Sequence, residues 1–180
     1  RQAAGLHHLA DTTGETQVIT RLLNTTAFVL HHLVFNLQVA MEYRVSFAVQ
    51  VLFMIANDLL LLFFWWILFQ QVPDVGGWSQ RETMLLIGVC AASFGVTAVV
   101  TGNVFRLSRL IAEGQLDVYL LLPRDPLLHA LVGRTVVAGV GDFLFGMGTI
   151  WVLGPETWSG QLLVAMAVLA SSMTFLAFGI

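Results

Sequence analysis

The sequence predicts an all-α, polytopic membrane protein with four membrane spans. Of its 180 residues, 57% are apolar and 11% are charged, whereas soluble domains carry about 25% charged residues. The mean hydropathy is +0.82. A helix of about 20 mostly apolar residues crosses the hydrocarbon core of a bilayer, and four stretches meet this requirement, at 45–69, 84–105, 127–153 and 161–180. We therefore expect a transmembrane domain over residues 44–180.

The residues before the first span divide into two parts. Residues 1–17 are polar and show no periodicity, which predicts disorder or an upstream extension. Within residues 18–43 an apolar stripe follows helical spacing and comprises Leu30, Leu33, Val34, Leu37 and Met41. The polar content argues against a span, so this part is expected to be an amphipathic helix in the membrane interface. The chain begins at Arg1 rather than Met and is still apolar at Ile180, so we expect a fragment that is truncated at its C-terminus.

The arginines predict the orientation of the chain. All eight basic residues are arginines, and only Arg81 falls outside the N-terminal segment, the 106–128 loop and the start of the third span. Positive charge near span ends marks the cytoplasmic side. The N-terminus and the 106–128 loop are therefore expected to be cytoplasmic, and residues 70–83 and 154–160 external. The net charge of −3 gives no reason to expect a nucleic-acid partner.

The sequence contains no motif for catalysis, nucleotide binding or metal binding. GxSxG, HExxH and GxGxxG are absent, and a chain without lysine cannot supply the lysine of a P-loop. Adjacent histidines, as in His7-His8 and His31-His32, point about 100° apart on a helix, and the single Cys90 excludes an internal disulfide. We expect no enzymatic activity, no cofactor and no metal. Any nucleotide that drives this protein must bind to another chain.

Three ionisable residues lie within the predicted spans: Asp58, Arg134 and Asp142. An aspartate at the centre of a span costs about 2.5 to 3.5 kcal/mol, so such residues face a protein interior or a watery cavity. Asp142 has Ala138 and Gly146 four residues to either side, a small-residue face on which another helix can pack closely. The favoured hypothesis is an interhelical polar contact, and the alternative is a translocation path or proton relay.

The most distinctive segment is the loop at 106–128, RLSRLIAEGQLDVYLLLPRDPLL. It combines charge with an apolar run and includes the candidate docking residues Glu113, Gly114, Leu116, Asp117, Leu120, Leu121, Leu122 and Pro123. The charges suit a polar interface, and the leucines suit an apolar anchor of the kind that dominates interface energies. We expect a partner to bind here. The alternative is a solvated connection between two helices.

The sequence resembles the permease subunits of bacterial type-2 ATP-binding cassette exporters. The resemblance covers residues 41–180 and lies in MEYR before the first span, VGGWSQRE before the second, and LIAEGQLDVYLLLPRDPLL before the third. It is strongest with a six-span subgroup whose inner loop has a G-x-L-D pattern, here Gly114, Leu116 and Asp117, followed by leucines and a proline. Arg124-Asp125 departs from the family pattern, in which a small or polar residue follows the proline.

The resemblance implies a division of labour between subunits. Two permeases pair in the bacterial plasma membrane, a separate ATP-binding cassette subunit docks on the loop between spans two and three, and ATP-driven closure of that subunit moves the spans. Two spans would lie beyond Ile180. Two other classes remain open, an ion-coupled secondary transporter or channel that uses Asp58 and Asp142, and a membrane scaffold without transport. The sequence does not identify the transported substrate.

Overall fold

The computed structural model describes residues 2–121 and 125–179, with the side chains of residues 20, 23–115, 118–121 and 125–177. These parts of the chain contain helices and no strand, which confirms the all-α, polytopic class. The α-helices are α1 (Gln2–Glu42), α2 (Arg44–Gln71), α3 (Gln80–Val100), α4 (Leu107–Ala112), α5 (Leu116–Leu120), α6 (Pro126–Val132), α7 (Ala138–Leu153) and α8 (Trp158–Gly179), and a 3₁₀ helix spans Gly102–Arg106.

Three helices are long and apolar enough to cross a membrane, namely α2, α3 and α8. They correspond to the first, second and fourth predicted spans. The fourth apolar helix, α7, has 16 residues and is therefore about 24 Å long, less than the roughly 30 Å of a hydrocarbon core. Most side chains of α2 and α8 point away from the rest of the chain, so apolar surface remains for lipid or for another subunit.

The expected continuous third span, 127–153, is divided in two. Helix α6 ends at Val132, a non-helical segment follows, and α7 begins at Ala138. The hydroxyl of Thr135 donates to the carbonyl oxygen of Val99 at 2.8 Å, and the amide of Val136 donates to that of Ala98 at 3.0 Å. Non-helical backbone is tolerated at membrane depth where protein satisfies its polar groups. These bonds to the end of α3 therefore stabilise the break.

Helices α3 and α7 form the centre of the bundle. They run antiparallel and pack through glycines, because Gly95 lies against Gly139 and Phe143, and Gly146 lies against Gly88 and Ala92. A methyl group at position 95 would lie 2.5 Å from the amide nitrogen of Phe143. The backbones therefore approach as closely as small residues allow, and Gly146, part of the small-residue face predicted for the third span, lies in this contact.

Helices α2 and α8 flank this pair on opposite sides. Helix α2 packs on α7, where Gly141 meets the backbone of Val51 and Ile55. Helix α8 packs on α3 through two buried hydroxyls, since Thr97 donates to the carbonyl oxygen of Ser172 and Ser172 to that of Ser93, both at 3.1 Å. The spatial order is therefore α2, α7, α3, α8.

The N-terminal helix includes residues 2–17, for which the sequence predicts disorder or an upstream extension. It ends at Glu42 before a break at Tyr43. The first 42 residues contain no proline that would interrupt a helix. Asn36 donates to the carbonyl oxygen of Val132 at 3.0 Å, so part of the polar face of α1 contacts α6. Leu30 and Val34 of the apolar stripe are exposed, and an interfacial position for α1 stays a prediction.

The residues VGGWSQRE form the turn between α2 and α3 and the first residues of α3. Gly76 and Gly77 have φ angles of 63° and 85°, a backbone conformation that glycine adopts most readily. Ser79 and Glu82 form a capping box that satisfies backbone amides at the start of α3. Arg81 donates to the carbonyl oxygens of Leu153 and Gly154, both at 3.1 Å. The turn is therefore bonded to the end of α7.

Candidate functional site

The loop between α3 and α7 is built from short helices that turn sharply. Helix α4 ends at Ala112, and Gly114 follows with a φ of 68°. The amide of Gln115 donates to the carbonyl oxygen of Leu110 at 3.0 Å, so the end of α4 is closed by a glycine turn. Because a residue with a Cβ atom is strained at this φ, Gly114 sets the angle at which α5 leaves α4.

Charged and polar side chains interact with each other on the exposed side of this turn. The guanidinium of Arg109 lies 3.2 Å from the carboxylate of Glu113, one helical turn away. The side-chain amide of Gln115 donates to the same carboxylate at 2.9 Å. Such exposed pairs contribute well under about 1 kcal/mol each. They fix the direction of the Glu113 side chain more than they stabilise the fold.

Helix α5 has one side against the protein and one side open. Tyr119 packs inward, whereas Leu120 and Leu121 are 61% and 86% exposed. Val118 is exposed as well. A soluble surface rarely exposes adjoining large apolar side chains without a binding role. This exposed apolar surface, formed by Val118, Leu120 and Leu121, is called the α5 face below.

The inner side of α5 rests on a small apolar core. Tyr119 packs against the buried cluster of Val104, Leu107, Ala130 and Leu131, which belongs to the 3₁₀ helix, α4 and α6. Beneath it, the buried amide of Asn103 donates to the carbonyl oxygen of Ala130 at 2.6 Å. The loop is therefore anchored to the adjoining end of α3 through this core.

The start of helix α6 is stabilised by an N-cap and a proline. Asp125 is its N-cap and accepts hydrogen bonds from the amides of Leu127 and Leu128 at 2.9 and 3.2 Å. Pro126 occupies the first helical turn, where its missing amide hydrogen costs nothing. The residues at which the sequence departs from the family pattern thus include a helix cap, and Asp125 has a structural role here.

The structure describes some of the predicted docking residues fully and others only in part or not at all. Glu113, Gly114, Leu120 and Leu121 are all exposed around the glycine turn and α5. Leu116 and Asp117 form the first turn of α5, but their side chains lie outside the described part of the chain. Leu122 and Pro123 lie outside the described residues altogether. The docking role of the whole set stays a prediction.

The two intramembrane aspartates come together. Asp58 on α2 and Asp142 on α7 are 7% and 3% exposed, and their side chains contact each other between the two helices. In each residue the Oδ2 atom is buried and has no hydrogen-bond donor. Buried polar atoms are rarely left unpaired in native proteins, so this acid pair calls for a chemical explanation.

The third intramembrane candidate is not part of this pair. Arg134 lies in the non-helical segment before α7, with an exposed side chain. It is eight residues before Asp142 in the sequence, next to the end of α3, where its carbonyl oxygen approaches Gly102. The helix of the third predicted span is interrupted at Arg134, and the position of this residue within the membrane stays a prediction.

Two apolar grooves open on either side of the C-terminal half of α7. One, of about 630 Å³, lies between α2 and α7 and includes Leu62, Trp66 and Leu144. The other, of about 720 Å³, lies between α7 and α8, and Arg81, Glu156 and Gln161 line it together with apolar residues. No cluster of three or more His, Cys, Asp or Glu side chains suited to a metal occurs in the described part of the chain.

Sequence reasoning missed three residues that position the loop: Asn103, Tyr119 and Thr135. Each makes its contact with a residue at least ten positions away. The sequence could have indicated Asn103, because it is a polar residue in the last turn of a predicted span. Thr135, Val136 and Val137 form a β-branched run after a glycine, a combination unfavourable to helix.

Comparison with known proteins gives one match. A family model described as "ABC-2 family transporter protein" matches residues 52–180. This region begins within α2 and includes the loop, the acid pair and both grooves. No curated protein and no solved structure matches the chain.

Proposed function

Because the chain belongs to the ABC-2 transporter family and is a permease of an ABC transporter, we propose that it exports its substrate with ATP hydrolysed by a separate subunit. The chain itself carries no nucleotide-binding motif. The proposed complex therefore contains an ATP-binding cassette subunit on the cytoplasmic side and a second permease subunit, identical or different, within the bilayer.

The observation that carries this proposal is the α5 face. Its three exposed apolar side chains lie on a loop rather than on a membrane span. Charged and polar residues, among them Arg109, Glu113 and Gln115, lie next to it. An apolar centre with a polar rim is the usual composition of a protein-binding surface. We assign this surface to the ATPase subunit.

The contacts beneath the α5 face connect the loop to α3 and α7, so that movement of the loop can reach these helices. Tyr119 connects α5 to the core formed by the 3₁₀ helix, α4 and α6. Asn103 bonds α6 to the 3₁₀ helix that follows α3, and Thr135 bonds the segment before α7 to the end of α3. Force applied at α5 would therefore reach α3 and α7 together. Because these helices pack backbone to backbone, we propose that they move as one unit.

Replacement of both Leu120 and Leu121 by aspartate tests the docking surface. We expect at least a tenfold loss of copurifying ATPase subunit, because anchor residues of interfaces contribute about 2 kcal/mol or more and 1.4 kcal/mol corresponds to tenfold in affinity. Both side chains point away from the core, so membrane insertion should be retained. The measurement is the ratio of ATPase subunit to permease after affinity purification from membranes.

The matched control is Val75→Asp, a charge placed on an exposed apolar residue of the turn between α2 and α3. It should leave the ratio unchanged, because this turn is proposed to lie on the external side. An unchanged ratio in the Leu120→Asp, Leu121→Asp variant would contradict the assignment of the α5 face. Loss of the ATPase subunit in both variants would indicate a general assembly defect and would equally count against it.

The proposed orientation has the N-terminus and the 106–128 loop in the cytoplasm of a bacterial cell. Single cysteines at positions 78 and 109, introduced after Cys90→Ala, test it because Trp78 and Arg109 are both exposed. We expect a membrane-impermeant maleimide added to intact cells to label position 78, and to label position 109 only after the membrane is opened. The reverse pattern would overturn the orientation and, with it, access of an ATPase to α5.

A further inference from the structure

The acid pair lies next to a close contact between α2 and α7. A methyl group at Gly141 would lie 2.7 Å from the carbonyl oxygen of Val51 and 3.4 Å from the amide nitrogen of Ile55. Asp142 follows Gly141, and Asp58 is one helical turn beyond Ile55. The register of the two helices therefore brings both carboxyl groups to one level, in agreement with their direct side-chain contact.

Two ionised carboxylates are incompatible with this arrangement. An ionised carboxylate is a hydrogen-bond acceptor only, so two of them repel each other and leave both buried Oδ2 atoms without a donor. Two like charges in a medium of low dielectric constant also repel strongly. A proton on one carboxyl removes a charge and supplies the missing donor at the same time.

No other charge is placed to satisfy the pair. The remaining titratable residues of α2, α3, α7 and α8 are Arg44, Arg81, Glu82 and Cys90. Arg44 is 14 residues from Asp58 along α2, about 21 Å at helical rise. Arg81 and Glu82 lie in the first turn of α3, and Cys90 is exposed on the same helix. Among the described residues no arginine forms an ion pair with either aspartate, and the sequence contains no lysine.

We propose that Asp58 and Asp142 form a proton-binding acid pair, in which a proton held between the carboxyl groups fastens α2 to α7. The proton is donated from one carboxyl oxygen to the other, and no bond other than this O–H is made or broken. The proposal goes beyond ATP-driven export and does not depend on it. It also distinguishes this contact from the α3–α7 contact, which needs no proton because small residues form it.

Infrared spectroscopy of the purified permease in lipid nanodiscs tests the pair directly. With ¹³C-labelled aspartate carboxyls, we expect an isotope-sensitive band of protonated carboxylic acid at neutral pH, where exposed aspartates are ionised. The band should disappear when alkali removes the proton. Asp58→Asn and Asp142→Asn each keep size and supply an amide donor in place of the proton, so both variants should fold, and the band of protonated carboxylic acid should be lost in each.

The control is Asp74→Asn, at an exposed aspartate of the turn between α2 and α3, which should leave the band unchanged. In the Asp58→Asn, Asp142→Asn variant the band should be absent. Absence of the band from the wild-type protein at neutral pH would overturn the proposal. A band that persists in both single variants would also overturn it, because the carboxyls would then bind protons independently.

Thermal unfolding gives a second measurement that does not rely on the band. Alkali should lower the unfolding midpoint of the wild-type protein, because the two ionised carboxylates then repel each other across the contact. The Asp58→Asn variant should be much less sensitive, since its amide can donate to Asp142 in place of the proton. Equal sensitivity of the wild type and this variant would contradict the role of the proton in fastening α2 to α7.

Discussion

Gly146→Ala is expected to destabilise the bundle by about 1 to 3 kcal/mol, the usual cost of overpacking a close-packed interior. The added methyl group would contact the amide nitrogen of Ala92 and lie 2.5 Å from the carbonyl oxygen of Gly88. Both atoms belong to the backbone of α3, so neither can move aside as the end of a side chain can. Relief requires that α3 and α7 separate along their length, which places the cost toward the upper end of this range.

Gly148→Ala is the matched control for this prediction. Gly148 lies two residues further along α7, and a methyl group there would meet no atom within 4 Å. Alanine favours a helix over glycine by about 0.5 to 1 kcal/mol, so this variant should be as stable as the wild type or slightly more stable. The measurement is the midpoint of thermal unfolding in nanodiscs. Equal destabilisation by the two substitutions would contradict the close contact at Gly146.

Asn103→Leu is expected to cost about 1 to 3 kcal/mol, the penalty for leaving a buried hydrogen-bonding group unsatisfied. The side chain is buried and donates to the carbonyl oxygen of Ala130 across 27 residues of sequence. Leucine has a similar volume but no donor, so the variant removes the bond with little change in packing. Because Ala130 also belongs to the core under Tyr119, the loop should loosen along with the fold.

The matched control is Gln115→Leu, which removes an amide from an exposed side chain whose partner, Glu113, remains in contact with water. It should shift the unfolding midpoint little. Protease cleavage within the 106–128 loop should be faster in Asn103→Leu than in the control. Equal cleavage rates together with equal midpoints would show that the bond to Ala130 does not hold the loop in place.

The apolar runs predicted the class of the fold and three of the long helices correctly, because burial in a bilayer constrains length and composition together. They could not predict the break before α7. Hydrophobicity alone does not distinguish a helix from a break in a helix, because it does not identify the hydrogen-bond partner of each backbone group. Here the partners of Thr135 and Val136 lie at the end of α3, more than 30 residues away.

The candidate site was predictable in position but not in geometry. Gly114 and the apolar run after it marked the loop, because glycine and charge interrupt spans. The sequence did not show that Tyr119 points inward while Leu120 and Leu121 point outward, since a five-residue helix is too short for a periodic pattern. Nor could it pair Asp58 with Asp142, because the register between two helices depends on how closely their backbones approach.

Arg81 has a consequence for the charge pattern of the whole chain. It is the one arginine on the side proposed to be external, yet its guanidinium is bonded to two carbonyl oxygens at the C-terminal end of α7. The C-terminal end of a helix carries a partial negative charge from its aligned peptide dipoles. The positive charge of Arg81 is therefore compensated locally by the dipole of a neighbouring helix. An arginine of this kind is part of a helix terminus, and it carries less weight as a topological signal than one that is free in a loop.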